Sequence, residues 1–331
     1  MLRSYRQIID SGTIVTPESA ATAIINATSI ACKRINKMSR VLLKTRGGRR
    51  GSGMGSLLEA LWGFYTNQVL SKKADNEPCA YELGWFSDHG YNDFACVLKN
   101  SGWNSDTRAG ELLRIEAKSM NAQADESKGH FDELIEKLGE NDLLLILIWT
   151  WEPVDTAIFP QVYPYILDYF IAKARPIASL RDVLHLTRGG SFVDRESCPD
   201  GCPPISCPHH GEPLNAAKKR ERLLGPSSCC SKKVSHAANF GGLVRMIKTD
   251  SPPARQKFRE FRAHDDDAHT YISFIHKNYP IEEENQYLQE EWITVAEFFG
   301  IQGAKKLKKK ELIPLIRERY PNYQEQLRVL L

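Results

Sequence analysis

The sequence lacks a long apolar run and any strong excess of charge of one sign. Its most apolar stretch, residues 143–151, is about half as long as a membrane-spanning helix, which needs ~20 apolar residues. The first ten residues, MLRSYRQIID, have no apolar segment of the kind found in secretory signals. We therefore expect a soluble, cytoplasmic protein with no membrane partner. The net charge of +3 does not by itself indicate a nucleic-acid partner, so local clusters of basic residues carry more information.

Patterning along the 331 residues predicts helices packed on a sheet. A helix begins near Thr16-Pro17, and an amphipathic helix covers residues 56–70, with Leu57, Leu58, Leu61, Phe64 and Tyr65 as its apolar stripe. Strands follow at residues 81–86, 93–98 and 112–119, then a polar helix at 126–138 and a buried strand at 143–151. The expected fold class is α/β (α+β), with a central mixed sheet flanked by helices. Composition divides the chain into an N-terminal helical region (1–50), a core (51–185), a Cys/His-rich insert (186–250) and a C-terminal helical region (251–331).

Two carboxylates and a lysine form the most informative pattern. Glu116 and Lys118 are two residues apart on a predicted strand, so they point to the same side while Ile115 and Ala117 point into the core. A hairpin from the preceding strand brings Asp93 alongside Glu116. Carboxylates on neighbouring strands suit Mg²⁺, which prefers oxygen ligands, and phosphodiester hydrolysis needs such a cation. The alternative, a surface strand with a Glu–Lys ion pair, does not explain the apolar residues that flank the pair.

This arrangement resembles the PD-(D/E)xK nucleases, and especially the type II restriction endonucleases, over residues 55–151. Asn92-Asp93 matches the first half of the motif, and Glu116-Ala117-Lys118 matches the second. Asn92 stands where proline is usual, and the spacer to Glu116 is long. The resemblance implies a restriction-endonuclease-like sheet in which Asp93, Glu116 and the Ala117 carbonyl hold Mg²⁺. It also implies that Lys118 orients or deprotonates the attacking water, that Glu59 on the preceding helix assists, and that the products carry 5′-phosphate and 3′-hydroxyl ends.

Three further segments suggest metal or DNA binding. Five of the eight cysteines lie within about thirty residues, and this spacing predicts either a structural Zn²⁺ site or free thiols in a Pro-rich loop. The favoured zinc ligands are Cys198, Cys202, Cys207 and His209, with a downstream cysteine as the alternative fourth ligand. Basic residues beside this insert either contact DNA or form a solvated charged face; they are Lys218, Lys219 and Arg220. The Gly-rich segment at 44–55 is either a flexible connector or a loop along a phosphate backbone, with Arg46, Arg49 and Arg50 supplying charge.

The isolated cysteines and the C-terminal residues complete the pattern. Cys32, Cys79 and Cys96 stand alone and are expected to be buried as small hydrophobes. Near residues 291–320 the sequence predicts a short helix with Thr294 at its N-cap and Gly300 at its end, followed by a loop and a second helix with apolar residues at 312, 313, 315 and 316. This pattern resembles the SAP and helix–extended loop–helix modules that dock on DNA. Its basic residues are Lys305, Lys306, Lys308 and Lys309; the alternative is a helical hairpin that serves only packing.

Together these features predict a homodimeric type II restriction enzyme acting on double-stranded DNA, because palindromic cleavage needs two active sites. A repair or junction-resolving nuclease is the alternative within the same class. A non-catalytic zinc-containing DNA-binding protein is the alternative from another class.

Overall fold

The computed structural model describes residues 8–10, 13–47, 53–71, 79–86, 93–123, 129–158, 160–193, 211–215, 221–223, 233–235, 237, 240–247, 252–279 and 289–323. A β-hairpin of β1 (Ile8–Asp10) and β2 (Thr13–Val15) precedes the long helix α1 (Pro17–Leu42). As predicted, this helix begins after Thr16: the Thr16 hydroxyl accepts a hydrogen bond from the Ser19 N–H, and the Ser19 hydroxyl accepts one from the Thr16 N–H.

A six-stranded mixed sheet is the centre of the fold. Its strands are β3 (Thr45–Arg46), β4 (Tyr81–Trp85), β5 (Phe94–Leu98), β6 (Glu111–Asn121), β7 (Leu143–Pro153) and β8 (Gln161–Lys173), in the spatial order β3-β8-β7-β6-β5-β4. Only β6 and β7 are parallel; the other neighbouring pairs are antiparallel. The four strands predicted from the sequence are confirmed as β4 to β7. The short β3 corrects the prediction that the Gly-rich segment forms no regular element, because Thr45 and Arg46 pair with the edge of β8.

Helices cover both faces of this sheet. On one face, α1 and α2 (Met54–Leu70) pack against inward side chains of β6 and β7 such as Ile115 and Leu145. On the other, α3 (Ala174–Thr187), α5 (Pro252–His264) and α6 (Asp266–Asn278) share a core with Ile146 and Phe170. The strand β7 is buried on both faces, as its continuous apolar sequence predicts. Short elements lie between α3 and α5: β9 (Gly190–Phe192), β10 (Pro213–Asn215), β11 (Glu221–Leu223), β12 (Lys233–Ser235) and α4 (Leu243–Met246).

The connection from β6 to β7 differs from the prediction. Among the described residues of the predicted helix 126–138, only Ile135–Lys137 is helical, as a single 3₁₀ turn, and residues 129–134 are not helical. Backbone bonds to a neighbouring segment replace the helical ones here, because the Phe131 N–H donates to the Gly241 carbonyl and the Leu243 N–H to the Gly129 carbonyl. The buried Phe131 side chain anchors the segment on the sheet.

The stripe predicted for α2 is also partly wrong. Leu57 and Phe64 are exposed, and the buried line runs through Leu58, Trp62, Thr66 and Leu70. The predicted stripe follows the leucines and the aromatic residues Phe64 and Tyr65, whereas the buried residues Leu58, Trp62, Thr66 and Leu70 are spaced four residues apart.

The C-terminal residues form a third hydrophobic core, around Trp292, Leu312 and Ile316. Helix α7 (Gln289–Phe298), a 3₁₀ turn (Ala304–Lys306) and helix α8 (Lys309–Arg319) enclose it. Gly300, with φ 71°, follows the first helix as predicted. Thr294 is not the N-cap: it lies inside α7, where its hydroxyl donates to the Glu290 carbonyl. No helix among the described residues is long and apolar enough to cross a membrane.

Candidate active site at the open end of a central strand

The two central strands of the predicted motif differ in length, and this difference opens the site. Strand β5 begins at Phe94, opposite Ile115, whereas β6 continues to Asn121. Within the described part of the chain, no strand pairs with residues 117–121 on the β5 side. Asp93 fills the first position of this gap: its N–H donates to the Ile115 carbonyl, and its Oδ2 accepts the Ala117 N–H at 2.7 Å. Because the N–H and C=O of a strand residue point to the same edge, the Ala117 carbonyl faces this gap too.

Glu116 and Lys118 lie side by side on one face of β6. Lys118 Nζ is 2.5 Å from Glu116 Oε1 and 3.9 Å from Asp93 Oδ2. Ile115 and Ala117 are buried on the opposite face, as the two-residue period predicts. The Glu116 and Lys118 side chains are only 16% and 25% exposed. The pair is therefore not a solvated surface ion pair. The structure confirms the predicted proximity of Asp93, Glu116 and Lys118.

Glu59 reaches the same region from α2, on the face opposite Glu116. Burial raises the pKa of Glu59 to about 7, and the charge of Asp93 adds to this, while Lys118 and Ser119 oppose it. Ser119 lies on the α2 side of β6, where a Cβ placed on Gly55 would be 3.2 Å from the Ser119 Cβ. The Ser119 hydroxyl is buried beside Glu59, and its interaction with the Glu59 carboxyl group lowers the pKa of that group. A polar side chain of β6 thus faces Glu59 from this side.

The charges of the cluster are unbalanced. Burial raises the pKa of Glu116 despite the nearby ammonium of Lys118. Burial alone would lower the pKa of Lys118, but Glu116 and Asp93 outweigh it and the pKa is raised. Lys118 is therefore an ammonium at neutral pH, and a single positive charge faces three carboxyl groups. A divalent cation would relieve this imbalance.

The donor set fits a hard cation such as Mg²⁺, because carboxylates and a backbone carbonyl are the oxygen ligands that Mg²⁺ prefers. Among the described residues, no three His, Cys, Asp or Glu side chains already stand in a metal-binding arrangement. Lys118 Nζ instead stands beside both carboxylates, 2.5 Å from Glu116 Oε1 and 3.9 Å from Asp93 Oδ2. Binding of a cation by these two carboxylates therefore requires Lys118 Nζ to move aside.

Sequence reasoning missed one acidic residue near the cluster. Asp132 lies on the connection from β6 to β7, and its charge contributes to the raised pKa of Glu116. His130 accompanies it, with Nδ1 3.9 Å from Asp132 Oδ1. The prediction of a polar helix over residues 126–138 gave no reason to place His130 or Asp132 near the cluster. The signal that could have revealed them is the sequence Gly129-His130-Phe131-Asp132, where one apolar residue sits between polar ones, a poor pattern for a packed helix.

The other predicted site residues are not brought to this cluster. Arg46 lies on β3, three strands away from β6, which is roughly 14 Å at ~4.8 Å per strand. Lys305, Lys306, Lys308 and Lys309 lie on the surface of the elements around the C-terminal core, and Lys305 Nζ is 3.3 Å from Glu297 Oε1. The following predicted residues lie outside the described residues: Arg49, Arg50, Asn92, Cys198, Cys202, Cys207, His209, Lys218, Lys219 and Arg220.

The isolated cysteines are buried, as predicted. Cys32, Cys79 and Cys96 are free thiols within the first core. Burial raises the pKa of Cys32 to about 12, and it raises that of Cys96 further. The thiols of Cys32 and Cys96 are therefore protonated, and all three cysteines pack within this core.

In comparisons with known proteins, no protein-family model matches this chain, and a search of curated proteins finds no match either.

Proposed function

We propose that this protein is a Mg²⁺-dependent endonuclease acting on double-stranded DNA, of the PD-(D/E)xK type. The observation that carries the proposal is the convergence of Asp93, Glu116 and Lys118 at the unpaired end of β6. The order of elements supports it: helix α2 precedes three antiparallel strands, and a crossover leads to a parallel fourth strand. This is the order that the restriction-endonuclease-like fold requires, and in the described part of the crossover, residues 129–142, the helix is reduced to one 3₁₀ turn.

Each residue of the cluster has a distinct role in this proposal. Asp93, Glu116 and the Ala117 carbonyl would hold the cation, which supplies a polarised phosphate and a more acidic water. Asp93 is oriented for this by the Ala117 N–H, which fixes one carboxylate oxygen. Lys118 is protonated, so it acts by orienting the attacking water and by stabilising negative charge on the phosphate in the transition state. Glu59 supports the site from the α2 side.

DNA as the substrate is supported by the basic residues around the C-terminal core. The turn that contains Lys305 and Lys306 leads into α8, whose first turn contains Lys309 and Lys310. Together with the two-helix shape, this supports a SAP-like DNA-binding module. We further propose a Zn²⁺-binding insert at residues 198–209, a cytoplasmic location and a homodimer that cuts both strands at a specific sequence.

Cleavage of plasmid DNA tests the proposal. The protein is incubated with plasmid in Mg²⁺ or Mn²⁺, and Lys118→Ala and Asp93→Ala are compared with the exposed controls Lys99→Ala and Asp106→Ala. We expect each site variant to lose at least about 10²-fold in cleavage rate. DNA binding, measured by fluorescence anisotropy in Ca²⁺, should remain within a few-fold of that of the unsubstituted protein.

The outcomes separate the candidate functions. Discrete fragments indicate a sequence-specific restriction enzyme, and cleavage confined to branched DNA indicates a junction nuclease. Cleavage that survives both site substitutions contradicts the assignment of the active site. DNA binding without cleavage in either cation indicates a non-catalytic binding protein, in which Lys118 simply neutralises the carboxylates.

A further inference from the structure

The connection between β6 and β7 passes over the face of β6 that carries Glu116 and Lys118. Gly129 lies against Met120 on this face: a Cβ placed on Gly129 would be 2.7 Å from the Met120 sulfur. Phe131 is fully buried in the same core as Met120. From Gly129 the chain leads back to Asp142, whose Oδ1 accepts the Arg114 N–H near the start of β6. Asp132 therefore lies on a connection that crosses this face between Met120 and Arg114, and the stretch of β6 between these two residues holds Glu116 and Lys118.

A second segment holds Asp132 in this position. The backbone of residues 129–131 bonds to residues 241–243, including the bond from the Phe131 N–H to the Gly241 carbonyl at 2.8 Å. Gly241 has φ 79°, and a Cβ there would lie 2.0 Å from Asp132 Oδ1. Only glycine fits both the backbone conformation and the space beside the carboxylate. The flanking side chains of Phe131 and Glu133 are buried, which leaves the Asp132 carboxylate turned outward and 66% exposed.

We infer that Asp132 is a further cation-positioning carboxylate of the proposed active site, contributed by the crossover and not by the strands of the motif. This inference rests on the proposed function. Asp132 is open to solvent on the Glu116 side of the sheet, so it can bind a hydrated divalent cation through a water or draw it toward Glu116. His130, 3.9 Å away, is placed to orient the carboxylate.

Metal binding measured without DNA tests this inference. The probe is Mn²⁺, followed by isothermal titration calorimetry and by the electron paramagnetic resonance signal of free Mn²⁺. We expect Asp132→Asn to weaken Mn²⁺ binding by about 10-fold, as loss of an outer-shell partner commonly does. Glu136→Gln, an exposed carboxylate on the same connection, is the matched control and should bind Mn²⁺ as the unsubstituted protein does.

A second variant tests the position of the Asp132 carboxylate and not its charge. Gly241→Ala substitutes no carboxylate residue, but its new methyl group would displace the Asp132 side chain. This variant should therefore weaken Mn²⁺ binding by a similar factor. Circular dichroism and the melting temperature establish whether this variant is folded, and Asp132→Asn decides the question if it is not. Cleavage with increasing Mg²⁺ should show a raised half-saturating concentration for Asp132→Asn with little change in the maximal rate.

The possible results distinguish this inference from the proposed function. If the unsubstituted protein binds Mn²⁺ and Asp93→Ala abolishes this, but Asp132→Asn binds with unchanged affinity, the role of Asp132 is refuted and the active site stands. If the unsubstituted protein binds no Mn²⁺, both proposals fail.

Discussion

At the scale of single residues, Glu59 is a carboxyl group beside the candidate site whose pKa is raised by folding. Its pKa rises from 4.5 to about 7 on folding, first because it is buried and then because Asp93 is nearby. The folded protein therefore keeps a proton on Glu59 between these two values, whereas the unfolded chain has released it. The contribution of Glu59 to stability falls as pH rises through this window, by about 3 kcal/mol at most, since one pH unit corresponds to about 1.4 kcal/mol.

Glu59→Gln should reveal this dependence. Glutamine has the shape of the protonated residue, so the variant should match the unsubstituted protein at pH 5 and exceed it by up to about 3 kcal/mol at pH 8. Urea denaturation with EDTA at both values measures the difference, and comparison with the unsubstituted protein cancels the contribution of Glu133, whose pKa is also raised. The control is Glu82→Gln, an exposed residue of β4 that should show no such trend. A stability difference that is equal at the two pH values would contradict the placement of Glu59.

Three residues, Glu116, Lys118 and Asp132, show how much of the candidate site could be predicted from the sequence. The period of a strand sets Glu116 and Lys118 on one face, so their proximity followed from local geometry alone. Asp132 reaches the same face only through the backbone bonds between its segment and Gly241, which is about a hundred residues later in the chain. No local pattern encodes such a long-range pairing.

At the scale of elements, the close approach of α2 to the sheet fixes the distance between Glu59 and the strands. Gly63 permits this approach: a Cβ there would lie 2.5 Å from Cε1 of the buried Phe94. Phe94 also contacts Trp62 edge-on, with ring centroids 5.4 Å apart. Phe94 directly follows Asp93, so the packing of this ring on α2 lies next to the site.

Gly63→Ala should destabilise the protein, although alanine is the better helix former by about 1 kcal/mol. The steric conflict with Phe94 outweighs this gain, and we expect a net loss of about 1–2 kcal/mol in the free energy of unfolding. Phe94→Leu alone should also destabilise, because it shortens a buried side chain. The double variant should be more stable than the sum of the two losses predicts, since leucine makes room for the new methyl group. Additive losses would show that Gly63 and Phe94 do not conflict.

The elements also show where patterning succeeds and where it fails. The strands β6 and β7 and the helix α2 were predictable because their periodicity or continuous apolar sequence is strong. The strand β8 and helix α3 were not identified as elements, although they form the far side of the sheet and part of its second core. Residues 161–173 alternate irregularly because β8 carries a bulge where it pairs with β7, and this bulge breaks the two-residue period.

At the scale of the whole molecule, the described residues form three hydrophobic cores with different roles. Two lie on either side of the sheet that carries Asp93, Glu116 and Lys118. The third belongs to the C-terminal helices and shares no buried residue with the other two. An ion pair between Arg255 on α5 and Glu291 on α7 links this third core to the rest. The carboxylates of the cluster thus lie on the central sheet, whereas the lysines at positions 305–310 lie on a separate C-terminal unit of residues 289–323.

If the proposed function is correct, this separation predicts that DNA affinity can be reduced without a change at Asp93, Glu116 and Lys118. Lys306 and Lys310 are exposed on the C-terminal unit, and changing both to glutamine removes two positive charges without touching its core. If both contact phosphates, the slope of log Kd against log salt should fall by about 0.9 for each lost contact. The matched control is the change of Lys33 and Lys37 to glutamine on the exposed side of α1, which alters net charge equally.

Fluorescence anisotropy with a duplex, in Ca²⁺ and at several salt concentrations, measures the effect. The C-terminal variant should bind more weakly at every salt concentration and with the smaller slope, while its Mn²⁺ affinity and melting temperature stay unchanged. Equal effects of the two double variants would mean that only net charge matters, and the C-terminal unit would then be a packing hairpin. A changed slope for the C-terminal variant alone would assign phosphate contact to this unit, because the two variants carry the same net charge and differ only in where the charges were lost.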